Sequence, residues 1–464
     1  MYIQQFFIDG LGCASYLVGC EAFGLAAVVD PDRDVQKYLD AANERGLKIT
    51  HILETHLHAD HVSGNTELAA RTGADIYVHE NGNAEFPHIP LKGGEIIELG
   101  NVHLHVRFTP GHTPDSVSLL VADTTRAEEP WMALTGDTLF VGDIGRPDLV
   151  GLEAAMGLAG DMYHTLQHEF LPLHDSLMIY PGHGAGSLCG KSIGSVRSTS
   201  LGFEKRHNHA LTLHDKDEFI SYATSSLPEQ PANHTRIKKM NRRGPKVLGE
   251  ITPKPVSIQA AIPHFQRGAA LLDTRSKEAY VAKHIPGSVH LEADSQLSNR
   301  VGFVLPSDAP VILLLKNPED YRRVVYSLAR VGYDNVIGYL ADSLDTWEAL
   351  GLPITSGDVK DIEPAELNEL IVDGSGLQIV DVREPWEFMQ GHVPNARLVP
   401  LGQLMNRIDE LNPEQPVAVI CATGSRSQSA AALFGRQGFK TIYNVRGGTY
   451  GWMQNGLPLE QDVR

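Results

Sequence analysis

Thr55-His56-Leu57-His58-Ala59-Asp60-His61 follows directly on the apolar run KITHILE (48–54). His56 and His58 lie two apart on backbone that reads as extended, so they share a side, and Asp60 and His61 are expected to turn into a helix starting there. Four ligand-capable groups converge. Downstream, His112 in TPGHTPDS, Asp137 in LTGDTLF and His183 in YPGHGAG each close an apolar run beside a glycine that permits a tight turn. Taken singly, Asp60 reads as a helix N-cap and any one histidine as a core or solvated residue. Seven such groups on strand-end loops read instead as a metal cage. His103 and His105 alternate with Val102, Leu104 and Val106 as the polar face of a strand, while His207, His209 and His214 fall in a charged helical segment and read as surface.

Around this motif, apolar runs (SYLVG, LAAVVD, VSLLVA, SLMIYPG) alternate with helical stretches at 34–45 and 65–72, giving a mixed α/β domain. The start, MYIQQFFIDGLGCASYLVG, has no basic residues ahead of its apolar ones and reads as a first strand, not a signal peptide. TRIKKMNRRGPK (235–246) and EITPKPVS (250–257) are basic and then Pro-rich without sustained periodicity, as expected of a linker. A first boundary falls near 250.

Beyond it the chain repeats. Asp273-Thr-Arg275, Tyr280 and His284-Ile-Pro286 recur as Asp381-Val-Arg383, Phe388 and His392-Val-Pro394, while Pro310, Gly332 and Trp347 match Pro416, Gly438 and Trp452. Two parallel-sheet α/β modules follow, so that the expected domains are 1–250, 251–357 and 358–464.

Composition narrows the function classes. The 464 residues carry 39 basic and 57 acidic side chains, net −18, which disfavours nucleic acid as a partner. No run approaches the ~20 apolar residues that would cross a bilayer, so no membrane role and a cytoplasmic location are expected. Four cysteines are too few for a disulfide framework. Cys421 stands out: the strand VAVI runs into Cys421-Ala-Thr-Gly424-Ser-Arg426, followed by a helix whose N-terminus, with Arg426, would stabilise a thiolate or a bound sulfur anion. Cys189, six residues after His183, reads either as a small buried residue or as a sulfur relay near the metal mouth.

The histidine and carboxylate set resembles the metallo-β-lactamase fold over about residues 1–240, in its glyoxalase II and persulfide dioxygenase branch. The resemblance implies an αββα sandwich with metal at one edge. In the hydrolases all seven positions hold two zinc ions; in the dioxygenases a single Fe(II) is held by the positions of His56, His112 and Asp137, leaving His58, Asp60, His61 and His183 as a possible second site. Arg146 and Asp148, in GDIGRPD, look more like the dioxygenases and would pair with each other and orient ligands.

The loop from Cys421 to Arg426, six residues long, resembles that of the rhodanese family, with Cys421 as the persulfide carrier. The middle module departs from that pattern, with Leu315 opposite Cys421, Pro318 opposite Gly424 and Asp320 opposite Arg426, so it reads as an inactive rhodanese-like domain. The order of parts resembles bacterial fusions of sulfide detoxification. What that implies is an Fe(II) enzyme, one ion per chain, that oxidises a low-molecular-weight thiol persulfide with O2 to sulfite, and a rhodanese that passes sulfane sulfur to sulfite to give thiosulfate. The alternatives are a binuclear zinc thioester hydrolase with an appended sulfurtransferase, and a non-catalytic sulfur-carrier or redox-sensing adaptor. Lys191, Arg197, Arg206 and the 236–246 cluster are candidates for recognising the thiol, and a homo-oligomer is a further expectation.

Overall fold

Twelve strands build two six-stranded sheets in the first half of the chain. β1 (Tyr2–Ile8), β2 (Cys13–Cys20), β3 (Leu25–Val29), β4 (Lys48–Leu53), β5 (Asp75–His79) and β6 (Ile89–Leu91) lie side by side in chain order. β7 (Ile96–Leu99), β8 (Val102–Phe108), β9 (Val117–Asp123), β10 (Met132–Gly136), β11 (Met178–Pro181) and β12 (Thr199–Ser200) form the second sheet, again in order. This computed structural model describes residues 1–461 apart from 186, 188, 191, 192, 226, 228–232, 357, 358 and 375.

The alternation of side chains along each strand explains the layering. Ala14, Tyr16 and Val18 of β2 meet Leu119 and Val121 of β9 in the core between the sheets. Leu17 points the other way, onto the helices Gln36–Glu44 and Asn65–Thr72, and Leu120 points onto the helix Leu152–Thr165. Strands buried on both faces read as continuous apolar runs, as these do. The result is helix, sheet, sheet, helix.

The second half holds two five-stranded, all-parallel sheets wound identically. β13 (Pro255–Val256), β14 (Ala270–Asp273), β15 (Val289–His290), β16 (Val311–Leu314) and β17 (Val336–Leu340) lie in the order β13-β17-β16-β14-β15. β18 (Val359–Ile362), β19 (Gln378–Asp381), β20 (Arg397–Leu398), β21 (Val417–Ile420) and β22 (Ile442–Val445) repeat it as β18-β22-β21-β19-β20. The repeated residues are framework. Arg275 forks onto Asp273 and Arg383 onto Asp381, all four being buried or nearly so. Tyr280 stacks on His284 with centroids 3.9 Å apart and Phe388 on His392 at 3.7 Å. The chain divides into two compact units, Met1–Glu250 with Ala329–Gly332, and Ile251–Leu328 with Tyr333–Arg464.

Three local expectations are corrected. The opening stretch is not one strand but a hairpin, β1 against β2, turning at Gly12 (φ 71°), a conformation glycine adopts freely. The helix expected at Asp60 begins at Asn65, because 60–64 bend away beneath the site first. The basic stretch taken for a linker contains the helix His234–Arg243, which buries His234, Ile237 and Asn241 at helical spacing. Among the described residues no helix is long and apolar enough to cross a membrane.

Candidate metal centre and cysteine loop

The seven cage residues come together where strands of both sheets end: His56, His58, Asp60 and His61 after β4, His112 between β8 and β9, Asp137 directly after β10, and His183 after β11. All seven are buried. Within this set the atoms sort into two kinds.

His56 Nε2, His112 Nε2 and Asp137 Oδ2 form the first kind. The imidazole nitrogens lie 3.9 and 3.3 Å from the carboxylate oxygen, and none of the three atoms has a hydrogen-bond partner. Bare, buried and mutually facing polar atoms are costly unless an ion binds them all, so this trio fits a two-histidine, one-carboxylate metal site. Their protonation agrees. Burial lowers the pKa of His56 and His112 and keeps the rings neutral, as ligands must be. Burial opposes charge on Asp137, yet His183 and His112 hold its carboxyl below the ordinary range.

Neighbouring groups aim these atoms. The Nδ1–H of His112 donates to the Arg146 carbonyl oxygen at 2.9 Å, which leaves Nε2 facing inward. Arg146 forks onto Asp148 with both contacts at 2.7 Å, and the pair is buried, not a surface pair in a turn. His183 Nδ1 lies 2.6 Å from Asp137 Oδ1, so Oδ2 is the oxygen left over. A Cβ on Gly145 would come within 1.9 Å of the Asp137 carbonyl oxygen and 2.9 Å of His112 Nδ1, so only glycine fits there.

The second kind is engaged in part, although His58 Nδ1 and Nε2 and Asp60 Oδ1 also have no hydrogen-bond partner. Asp60 Oδ2 meets His183 Nε2 at 2.9 Å, Cys13 Sγ at 3.0 Å and His61 Nδ1 at 3.1 Å. His58 turns Nε2 toward Asp30 Oδ1 (3.2 Å) and Glu54 Oε2 (3.4 Å). Although burial disfavours its charge, those two acids raise its pKa well above the ordinary value. His56 and His58 are neighbours, with centroids 4.2 Å apart, but they serve different carboxylates. Cys189 is buried with its sulfur among Asp137 and His183, its thiol pushed up to about 11 by burial first.

Several residues that shape the loop were not foreseen. Asp30, whose backbone is left-handed (φ 51°), accepts from the Thr55 N–H and hydroxyl at 2.7 and 2.8 Å. Asp115 accepts from the Leu57 N–H at 2.8 Å. Asn241 donates to the carbonyls of His58 and His61 and accepts from the Ser63 N–H, so the helix His234–Arg243 straps the motif from outside. The only signal for it was the spacing of His234, Ile237 and Asn241. Of the thiol-recognition candidates, Lys191 lies outside the described residues, while Arg197 pairs with Asp9 and Arg206 with Asp175.

In the last module, β21 delivers Cys421 to the loop and Gly424 (φ 100°) opens the helix Ser425–Arg436. The Gly424 N–H donates to Cys421 Sγ at 3.1 Å, and the sulfur is fully buried. Gly448 closes over this loop: a Cβ there would lie 2.2 Å from the Cys421 carbonyl oxygen. Arg426 departs from expectation, because its guanidinium forks onto Glu387 with both contacts at 2.7 Å and its charge is largely neutralised there. In the middle module β16 ends at Leu314, so Leu315 takes the place of the cysteine and Pro318–Asp320 form a turn of 3-10 helix.

Comparison with known proteins agrees with this architecture. The metallo-beta-lactamase superfamily model matches residues 8–183, and the rhodanese-like domain model matches 259–350 and 363–455. A crystal structure of a metallo-beta-lactamase from Staphylococcus aureus superposes with a TM-score of 0.65 at 34% identity, covering 73% of this chain and 98% of that one. The human mitochondrial persulfide dioxygenase ETHE1 is 27% identical, over 57% of this chain and 87% of its own length. A hydroxyacylglutathione hydrolase from Polaromonas sp. is 33% identical over 36% of this chain, a match that spans only 61% of that protein. A sulfurtransferase from Allochromatium vinosum is 33% identical over 22% of this chain and 94% of its own length. The chain therefore belongs to the metallo-beta-lactamase superfamily through its first part, joined to a duplicated rhodanese-like part.

Proposed function

We propose that residues 1–250 are a persulfide dioxygenase holding one Fe(II) through His56, His112 and Asp137, that residues 358–464 are a sulfurtransferase acting through Cys421, and that residues 251–357 are an inactive rhodanese-like domain. One observation carries the first assignment: the trio presents one bare, buried atom from each of three residues, all facing one another, while Asp60 Oδ2, His61 and His183 are engaged with one another and with Cys13, and the bare atoms left among those four residues lie on His58 and on Asp60 Oδ1. That pattern supports one ion. Fe(II) would supply electrons to O2 and open positions for a sulfur ligand, whereas zinc has no redox chemistry.

The overall step balances as thiol persulfide plus O2 plus water giving thiol, sulfite and two protons. The chain's part is to hold the imidazoles neutral and aimed, through the Arg146 carbonyl at His112, and to keep Asp137 ionised with Oδ2 turned inward through His183. At Cys421, attack on a persulfide would move one sulfur onto the cysteine and release thiol; sulfite would then take that sulfur, giving thiosulfate and restoring the thiol.

A second reading, the binuclear zinc thioester hydrolase, is favoured by His58, Asp60 and His61 lying with ligand atoms within 4.8 Å of one another. Protein prepared without air should contain one iron per chain and consume O2 with a low-molecular-weight persulfide. Two zinc ions, thioester hydrolysis and no O2 uptake would favour the hydrolase, and no turnover by the purified protein would favour the adaptor. Cys421→Ser should still form sulfite but no thiosulfate.

A further inference from the structure

The thiol of Cys421 is one end of a chain of polar contacts that leaves its own module. Sγ lies 3.6 Å from Ser427 Oγ, which lies 2.7 Å from Asn444 Oδ1 and 3.0 Å from the Gly424 carbonyl oxygen. Asn444 Nδ2 donates to Asp361 Oδ1 at 2.7 Å, and the Lys277 ammonium donates to the same oxygen. Lys277 opens the helix Lys277–Ala282 of the preceding repeat, the one with no nucleophile. Ser427 and Asn444 are buried; Asp361 and Lys277 are mostly so.

The chain takes its direction from the far end. Burial opposes charge on Asp361, but Lys277, Asn444 and Arg446, whose Nε is 3.6 Å from Oδ2, keep it ionised. An ionised carboxylate only accepts, so the NH2 of Asn444 must face it and the amide oxygen must face Ser427. Ser427 has one proton, and two acceptors compete for it. Toward the sulfur it therefore offers a lone pair, which receives the thiol S–H and gives nothing to a thiolate.

We propose that Lys277 and Asp361 are positioning residues for Cys421: by locking the Asn444 amide they commit the Ser427 hydroxyl away from sulfur, so the nucleophile-free repeat restrains the thiol of its neighbour. This deepens the assignment of Cys421 as sulfur carrier but requires only that its thiol be reactive. The other charged groups around the loop are Arg426 with Glu387 and Glu384, Asp381 with Arg383, Arg446 with Glu363, and Arg300, which reaches Gln428. They are common to every variant compared below.

The test is the pH dependence of Cys421 alkylation by iodoacetamide in the full-length protein, read by mass spectrometry of the Cys421 peptide. Asp361→Ala removes the acceptor that holds Asn444, the amide can turn its NH2 toward Ser427 Oγ, and the Ser427 proton is then shared only between the Gly424 carbonyl and the sulfur. The midpoint should fall by about half a pH unit or more, about threefold more thiolate below it. Asp361→Asn, whose amide can meet Asn444 in either orientation, should move it the same way by less and covers the case in which Asp361→Ala fails to fold; Lys277→Met removes a cation, which by itself raises the midpoint, so a fall in that variant must come through release of the carboxylate and the amide. Loss of the acid's charge acts with or without Ser427, so in a Ser427→Ala background the Asp361→Ala shift should shrink by at least half. No shift, or an equal shift in both backgrounds, overturns the proposal. So does a lower melting temperature with an unaltered alkylation profile, which would make Lys277–Asp361 only a tie between modules. Alkylation needs neither persulfide nor sulfite, so this result stands apart from any failure of the sulfurtransferase assignment.

Discussion

His112 is oriented by Arg146, whose backbone carbonyl takes the Nδ1 proton at 2.9 Å while its side chain forks onto Asp148. The proposed ligand, on the loop between β8 and β9, is thus held by a separate loop after β10 that a buried ion pair fixes. Arg146→Lys cannot make the fork. It should weaken metal affinity by roughly 10- to 100-fold, measured by competition with a chelator, because the loss reaches the ligand through its orientation.

Asn241 makes the complementary attachment from outside. Replacing it by Ala leaves two carbonyls and one N–H of the 58–63 segment without their partner. A cost of about 1–3 kcal/mol in unfolding free energy is expected, with metal lost at lower chelator concentration than in the wild type.

His234, on the same helix, is pushed down to about 4 by burial. The unfolded chain therefore binds a proton that the folded one refuses. Stability should be level above the ordinary histidine range and should fall from about pH 6.5 toward pH 4, by at most about 1.4 kcal/mol per unit. His234→Gln should flatten that part of the profile in denaturant titrations; an unchanged slope would show that the loss comes from other groups.

Glu387 holds Arg426 away from free service at the cysteine loop. Glu387→Gln should weaken that pairing and strengthen attraction of an anionic sulfur acceptor. A lower KM for sulfite or thiosulfate at low ionic strength, converging with wild type as salt is raised, is the expected signature.

Local chemistry is legible in the sequence. Ligand-capable residues at strand ends, the Arg146–Asp148 spacing and the repeated Asp-x-Arg and aromatic-His pairs all announce themselves within a few positions. The remainder depends on distant partners. Nothing near His58 shows that Asp30 will join Glu54, four residues before it, in claiming the ring, because Asp30 follows the adjacent strand β3. Nothing near Arg426 reveals Glu387, 39 residues away. The helix His234–Arg243 was missed because two of its three buried anchors are polar, so its inward face resembles its outward one.

The two identically wound sheets keep the same Asp–Arg fork and the same aromatic–histidine stack, yet only one ends its central strand in a thiol. On the proposed assignment chassis and cargo are therefore separate inheritances: the residues that wind the sheet are not those that would handle sulfur. A duplicated copy without the thiol keeps its fold without that loop, and if the proposed roles hold, its surface becomes raw material for tuning the sibling that carries the chemistry.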